Sequence, residues 1–187
     1  MSEAAAGAPP LRLRPTMLSD LDFVLGVERD QRNLPFITPW ERTQHEGAVR
    51  IPDFRHFIVE AGRNDEDGGS RDGFVILQGC RNPHRSVELK RVVLQSKGQG
   101  LGRQCVRLLK RMAFRDLHAH RFWLDLKQLD TRALALYLSE GFVEEGRLRE
   151  SVRISSDVAD GYDSLVVMSL LDREYLARQA LGLELTA

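Results

Sequence analysis

The sequence predicts a mixed α/β domain of the α+β kind, with a central, mostly antiparallel sheet interrupted by one strand–helix–strand (βαβ) unit. Three observations carry this expectation. Apolar, β-rich runs alternate with turn-rich segments through the first half of the chain, as in hairpins. Ser86–Leu94 then runs as a strand into a glycine-rich turn, which opens directly into an amphipathic helix. Beyond that helix the chain returns to strands, near Phe142–Arg149 and Tyr162–Leu170. At 187 residues the chain is long enough for one sizeable core and short for two full domains.

Met1–Pro10 is rich in Ala, Gly and Pro and reads as a flexible N-terminal tail. It lacks the basic start and apolar stretch of a signal peptide. The domain spans residues 11–171. Leu11–Arg14 alternates as a first strand and is stopped by Pro15. Ser19 or Asp20 caps a helix to about Glu28, with Leu21, Val24 and Leu25 at helical spacing. A loop from Asn33 to Trp40 carries large apolar groups, and a second helix follows over about Glu41–Val49. His56–Ala61 and Gly73–Leu77 form a hairpin around the acidic turn of residues 63–70. In the long helix, Leu101, Cys105, Leu108, Leu109 and Met112 make the apolar face, and Arg103, Arg107, Lys110 and Arg111 the polar one. Arg121–Leu126 is the strand after it, and Thr131–Ser139 a short helix ended by Gly141. Residues 172–187 form a charged, helical C-terminal tail.

Lys plus Arg and Asp plus Glu number 27 each, so no whole-protein field draws the chain to nucleic acid or to an anionic membrane. The apolar runs fall short of the roughly 20 residues of a bilayer crossing. A cytoplasmic protein is expected, with Cys80 and Cys105 as reduced, structural thiols and no metal site.

The chemistry centres on Lys97-Gly98-Gln99-Gly100-Leu101-Gly102. Glycines let the backbone approach a pyrophosphate, and the orphan N–H groups and dipole at a helix N-terminus attract negative charge. Lys97 and Arg103 add positive charge. An ordinary glycine-rich turn would look the same. A Walker loop is excluded because GxxxxGK[ST] is absent. A dinucleotide fingerprint lacks its third glycine, since Arg103 stands there, although Asp125 imitates its ribose-binding acid.

With Asp130-Thr131-Arg132-Ala133-Leu134-Ala135-Leu136-Tyr137, Gly141-Phe142 and Glu144–Glu150 downstream, these residues resemble the GNAT acetyltransferase superfamily. The family's motifs are [QR]xxGx[GA], NxRAxxLYxxxGF and EEGxLR. Within it the chain looks closest to the branch of ribosomal-protein N-terminal and spermidine acetyltransferases. The resemblance covers about residues 11–171 and is strongest from Glu88 to Arg149. Lys97 and Asp130 depart from the family's Gln/Arg and Asn.

The resemblance implies a GNAT-type acyl-CoA N-acyltransferase fold and acetyl transfer from acetyl-CoA to a primary amine, by direct attack in a ternary complex. It implies cofactor contacts at Val92, Val93, Leu94, Lys97, Gly98, Gln99, Gly100, Leu101, Gly102, Arg103, Asp130, Ala133 and Tyr137. Tyr137 is the expected general acid for the leaving thiolate and Glu88 the expected base, with Glu60 in reserve. His45 and His56 are weaker bases, and a covalent route through Cys105 is disfavoured. Asn33, Phe36 and Trp40 are candidates for the acceptor wall, with core packing as their competing role. The acceptor is an amine-bearing small molecule or a protein N-terminus, and a homodimer could pair at the edge Tyr162–Leu170. The alternatives are a catalytically silent acetyl-CoA sensor or scaffold and an NAD(P)-binding oxidoreductase.

Overall fold

The computed structural model describes residues 10–62, 70–155 and 160–184. The expected tail over residues 1–9 and the acidic turn over residues 63–69 lie outside them. The strands are β1 (Leu11–Pro15), β2 (Phe54–Ala61), β3 (Ser70–Gln78), β4 (Ser86–Leu94), β5 (Arg121–Lys127), β6 (Val143–Ser155) and β7 (Asp160–Leu171). The helices are α1 (Leu21–Glu28), α2 (Arg42–Arg50), α3 (Leu101–Arg111), α4 (Thr131–Ser139) and α5 (Asp172–Ala180). A 3-10 turn, Leu18–Asp20, leads into α1, and a π-helical segment, Met112–Asp116, extends α3.

The sheet order is β1-β2-β3-β4-β5-β7-β6, antiparallel except where β4 meets β5. The strand expected at the edge, Tyr162–Leu170, lies inside the sheet, because β7 pairs with β5 on one side and β6 on the other. Long antiparallel ladders on both flanks satisfy its backbone groups, and the free edge passes to β6.

Alternation along the strands splits the core in two. On one face Val87, Leu89 and Leu94 of β4 and Phe122 and Leu124 of β5 pack against Leu101, Cys105, Val106 and Leu109 of α3 and Tyr175 of α5. On the other face Ile58, Phe74, Ile76 and Val93 pack against Leu21, Val24 and Val27 of α1. Each fully buried Leu or Val stabilises the fold by roughly 1.5–3 kcal/mol in transfer free energy. These contacts therefore hold both helical layers to the sheet.

Lys110 also departs from expectation. Placed by periodicity on the polar face of α3, it is fully buried, donating to Glu140 Oε2 at 3.0 Å and to Glu184 Oε1 at 2.7 Å. Arg103 and Arg107 share Glu140, and Arg178 shares Glu184, so the C-terminal segment is stapled to α3 by charge. Among the described residues no helix is long and apolar enough to cross a membrane.

Candidate active site

The site arises where the sheet fails to close. β4 and β5 pair in parallel only at Ser86–Arg121, Val87–Phe122 and Glu88–Trp123, although both strands continue further. The register with β3 shows why: Ile76 faces Arg91 and Leu77 faces Leu89, leaving Lys90 unpaired in a bulge. A bulge bends the strand that carries it. Beyond Glu88 the strands therefore diverge, and a cleft of about 330 Å³ opens between Leu89–Val93 on one wall and Leu124–Lys127 on the other.

At one end of the wedge Lys97 lines the cleft, and the rest of the glycine turn, Gly98–Gly102, lies outside its lining. Gly98 (φ 82°) and Gly100 (φ 77°) both occupy left-handed conformations, which glycine adopts without the steric cost of a Cβ. Gly100 is the residue before α3, so the orphan N–H groups of the first helical turn open toward this turn. Leu101 itself is buried in the core, as is Leu94, so their side chains support the turn and the wedge from behind. Arg103 is engaged by Glu140 at 2.8 Å. Lys97 reaches across the cleft mouth, its Nζ donating to Asn33 Oδ1 at 2.9 Å, and burial lowers its pKa.

The far wall is α4. Asp130 caps it, accepting from the Ala133 N–H at 2.9 Å, which is a role that Asp fills as well as Asn. Tyr137 is 5% exposed, packs edge-on against Phe142, and lines the cleft. Its hydroxyl has no hydrogen-bond partner among the described residues, and burial raises its pKa, so the phenol stays protonated at neutral pH.

Of the sequence candidates, Asn33, Phe36, Val92, Val93, Lys97, Asp130, Ala133 and Tyr137 meet on this one cleft. Glu88 stands at the vertex and lines a neighbouring cavity of about 470 Å³ with Trp123, Asp53 and Arg121. It accepts from Lys90 Nζ at 3.0 Å, and burial raises its pKa against that pairing. Glu60 is bound to Arg12 and Arg14 on the far side of the sheet order. Trp40 is not part of the cleft lining. It packs on the α1 core, with its ring 5.3 Å from that of His45. Cys105 is fully buried and its thiol is pushed up to about 12, as an inert thiol requires.

The two histidines sit behind the cleft in a buried chain. Thr16 Oγ1 lies 2.9 Å from His56 Nδ1, His56 Nε2 lies 3.2 Å from His45 Nδ1, and His45 Nε2 lies 3.0 Å from Glu28 Oε2. A carboxylate only accepts, so His45 Nε2 donates to Glu28. His56 Nε2 then donates to His45, and the Thr16 hydroxyl donates to His56. Burial holds His45 down at about 4 and His56 at about 3, so both are neutral and the chain is satisfied without an added proton.

Sequence reasoning missed four charged cleft residues: Lys90, Arg91, Asp125 and Lys127. The usable signal was alternation. With Phe122 and Leu124 directed to the α3 core, Trp123, Asp125 and Lys127 must face the other side of β5. Among the described residues no group of three or more His, Cys, Asp or Glu is placed to hold a metal.

No protein-family profile matches the sequence. The chain is 29% identical over 179 residues to the spermidine N(1)-acetyltransferase of Vibrio cholerae, covering 90% of this chain and 96% of that one. It is 24% identical over 181 residues to the enzyme of the same name from Escherichia coli (strain K12), covering 91% and 90%. Among solved structures, spermidine N-acetyltransferase from Vibrio cholerae in complex with CoA and spermine shares the fold. Its TM-score is 0.76 at 24% identity, over 89% of this chain and 98% of that one. The resemblance to the GNAT superfamily, on its spermidine acetyltransferase side, is borne out, and with it the mixed α/β fold and an acetyl-CoA-dependent N-acetyltransferase as the class of enzyme.

Proposed function

Proceeding from a GNAT-type, acetyl-CoA-dependent N-acetyltransferase, we propose that the wedge between β4 and β5 holds the acetyl donor and the amine together, so that the amine attacks the thioester directly. The observation that carries this reading is the convergence of Lys97, the first residue of the glycine turn, the open β4 backbone and Tyr137 on one cleft. The pyrophosphate would lie on the turn at Lys97–Gly102 and the start of α3. The pantetheine arm would lie along Val92–Leu94, whose backbone groups facing the wedge take no part in a ladder with β5. Attack forms a C–N bond and a tetrahedral oxyanion, for which backbone N–H groups of β4 are the donors at hand. Collapse breaks the C–S bond, and Tyr137 donates to the departing thiolate.

The amine's proton needs an acceptor. Glu88, acting through water from the vertex, has a pKa raised by burial, as suits a base. Asp125 is favoured as a second base by one observation: it lines the same cleft as Tyr137 and has no hydrogen-bond partner among the described residues. The relatives are named for acetylating spermidine, so a polyamine is the first acceptor to test. The proposal includes a cytoplasmic place of action, no metal, no nucleic-acid or membrane partner, and a homodimer whose pairing edge would be β6.

The test is a thermal-shift titration with acetyl-CoA beside NADPH, followed by thiol release over an amine panel. A ligand at 100 times its dissociation constant stabilises by about 2.7 kcal/mol, which is readily resolved. Stabilisation by acetyl-CoA with amine-dependent thiol release is expected. Binding without release for every amine would mark a sensor, and stabilisation by NADPH alone would end the acetyltransferase reading.

A further inference from the structure

The cleft that would take a polycation itself presents cations. Lys90, Arg91, Lys97 and Lys127 face it with Asp125 and Asp130, and of the four cations Lys90 is paired with Glu88 and Arg91 with Glu28. Asp130 is committed to capping α4. Lys97 and Lys127 donate to neutral oxygens, those of the Asn33 amide and the Pro35 carbonyl, so neither is neutralised by its hydrogen-bond partner. A polyamine entering the wedge would meet these ammonium groups unscreened by water.

Arg91 is the more specific feature. Its side chain is 10% exposed and lines the cleft. A guanidinium carries five N–H donors in a rigid fork, and among the described residues the only acceptor that meets it is Glu28 Oε1. Its position is fixed from behind. Glu28 is fully buried, and its other oxygen accepts the Trp40 backbone N–H at 3.0 Å and lies 3.0 Å from His45 Nε2. The guanidinium also lies over the Trp40 ring, 5.0 Å from its centroid. A side chain held this way presents its remaining N–H donors to the cleft. Ligand oxygens would fill the fork from the cleft side, and a carboxylate matches its geometry. Asp125, whose charge acts on Arg91, supplies an opposite pole in the same cleft.

We propose that the acceptor is an amine that also carries a carboxylate, an amino-acid-like molecule, with its carboxylate on the Arg91 fork and its amine toward Asp125. Arg91 is then the residue that sets specificity, and Glu28, acting through it, is a positioning residue. The inference rests on the acetyltransferase reading.

The experiment is thiol release from acetyl-CoA by the unmodified protein with matched pairs: amino acids and dipeptides, each beside its C-terminal amide, with spermidine alongside. A site built to bind a charged group rejects the analogue lacking it, so kcat/KM should favour the free carboxylate by about 10²-fold or more. Arg91→Lys keeps the charge and loses the fork. It should erase most of that preference, chiefly through KM, while leaving acetyl-CoA affinity in place. Equal use of acid and amide, or turnover of spermidine alone, would overturn the proposal and leave the acetyltransferase intact. No binding of acetyl-CoA, or no thiol release with any amine, would overturn both. The matched pairs need no variant, so a poorly folding Arg91→Lys does not blunt the test.

Discussion

Replacing Tyr137 with Phe separates chemistry from packing more cleanly than any other single change in this cleft. The ring keeps its place against Phe142 and within the α3 core. Only the hydroxyl is lost, and it satisfies no other described residue. Because no buried partner is stranded, stability should change by no more than about 1 kcal/mol in either direction. Turnover should fall about 10²–10⁴-fold, the range for general acid catalysis, which corresponds to roughly 3–5 kcal/mol of barrier. The assay is thiol release at saturating acetyl-CoA and amine, with acetyl-CoA affinity measured separately by calorimetry. Full turnover with unchanged affinity would refute the proton-donor role. A loss of affinity matching the loss of rate would reassign the hydroxyl to cofactor binding.

Three further outcomes are expected. Gly100→Ala forces a Cβ into a left-handed turn, so acetyl-CoA should bind several-fold more weakly with a folding cost of about 1 kcal/mol; unchanged binding would mean the turn is not the phosphate site. Lys110→Met breaks a fully buried ion network and should cost about 3–5 kcal/mol in urea unfolding, and a loss below 1 kcal/mol would contradict that burial. His45 and His56 titrate in the folded protein at about 4 and about 3, below the usual histidine value of 6.5. The unfolded chain therefore takes up protons that the fold refuses, and stability should fall as pH drops from 6.5 toward 4. Asp20, held at about 2 chiefly by its hydrogen bond to Arg14, loses its contribution only below about pH 4, so a flat urea midpoint between pH 7 and 5 would refute the neutral histidine pair.

The elements were legible because local rules govern them. The strand Ser86–Leu94 and the helix Thr131–Ser139 fall where pattern and caps place them. What escaped were features set by tertiary pairing. Strand order cannot be read from alternation, so nothing in Tyr162–Leu170 announces that β7 lies between β5 and β6. Lys110 follows helical periodicity to the polar side of α3, yet Glu140 and Glu184 arrive from elsewhere in the chain to bury it. Glu88 was favoured as a charged residue on a central strand, but so is Arg91, and only the bulge at Lys90 decides which of them faces the cleft. The partners of the paired histidines escaped because nothing in their local sequence announces Glu28, which comes from α1.

The three-pair seam between β4 and β5 also has a mechanical meaning. It divides the sheet into a four-strand block, β1 to β4, and a three-strand block, β5 to β7, each closed by long ladders of its own. The α3 crossover ties the blocks at one face, but along the open stretch of the wedge no backbone bond crosses between them. Such blocks can loosen separately, and amides flanking the gap should exchange with solvent before those deep in either block. A ligand lying in the gap bridges two otherwise weakly joined slabs, so binding would be felt as stiffness across the whole sheet rather than as a local contact.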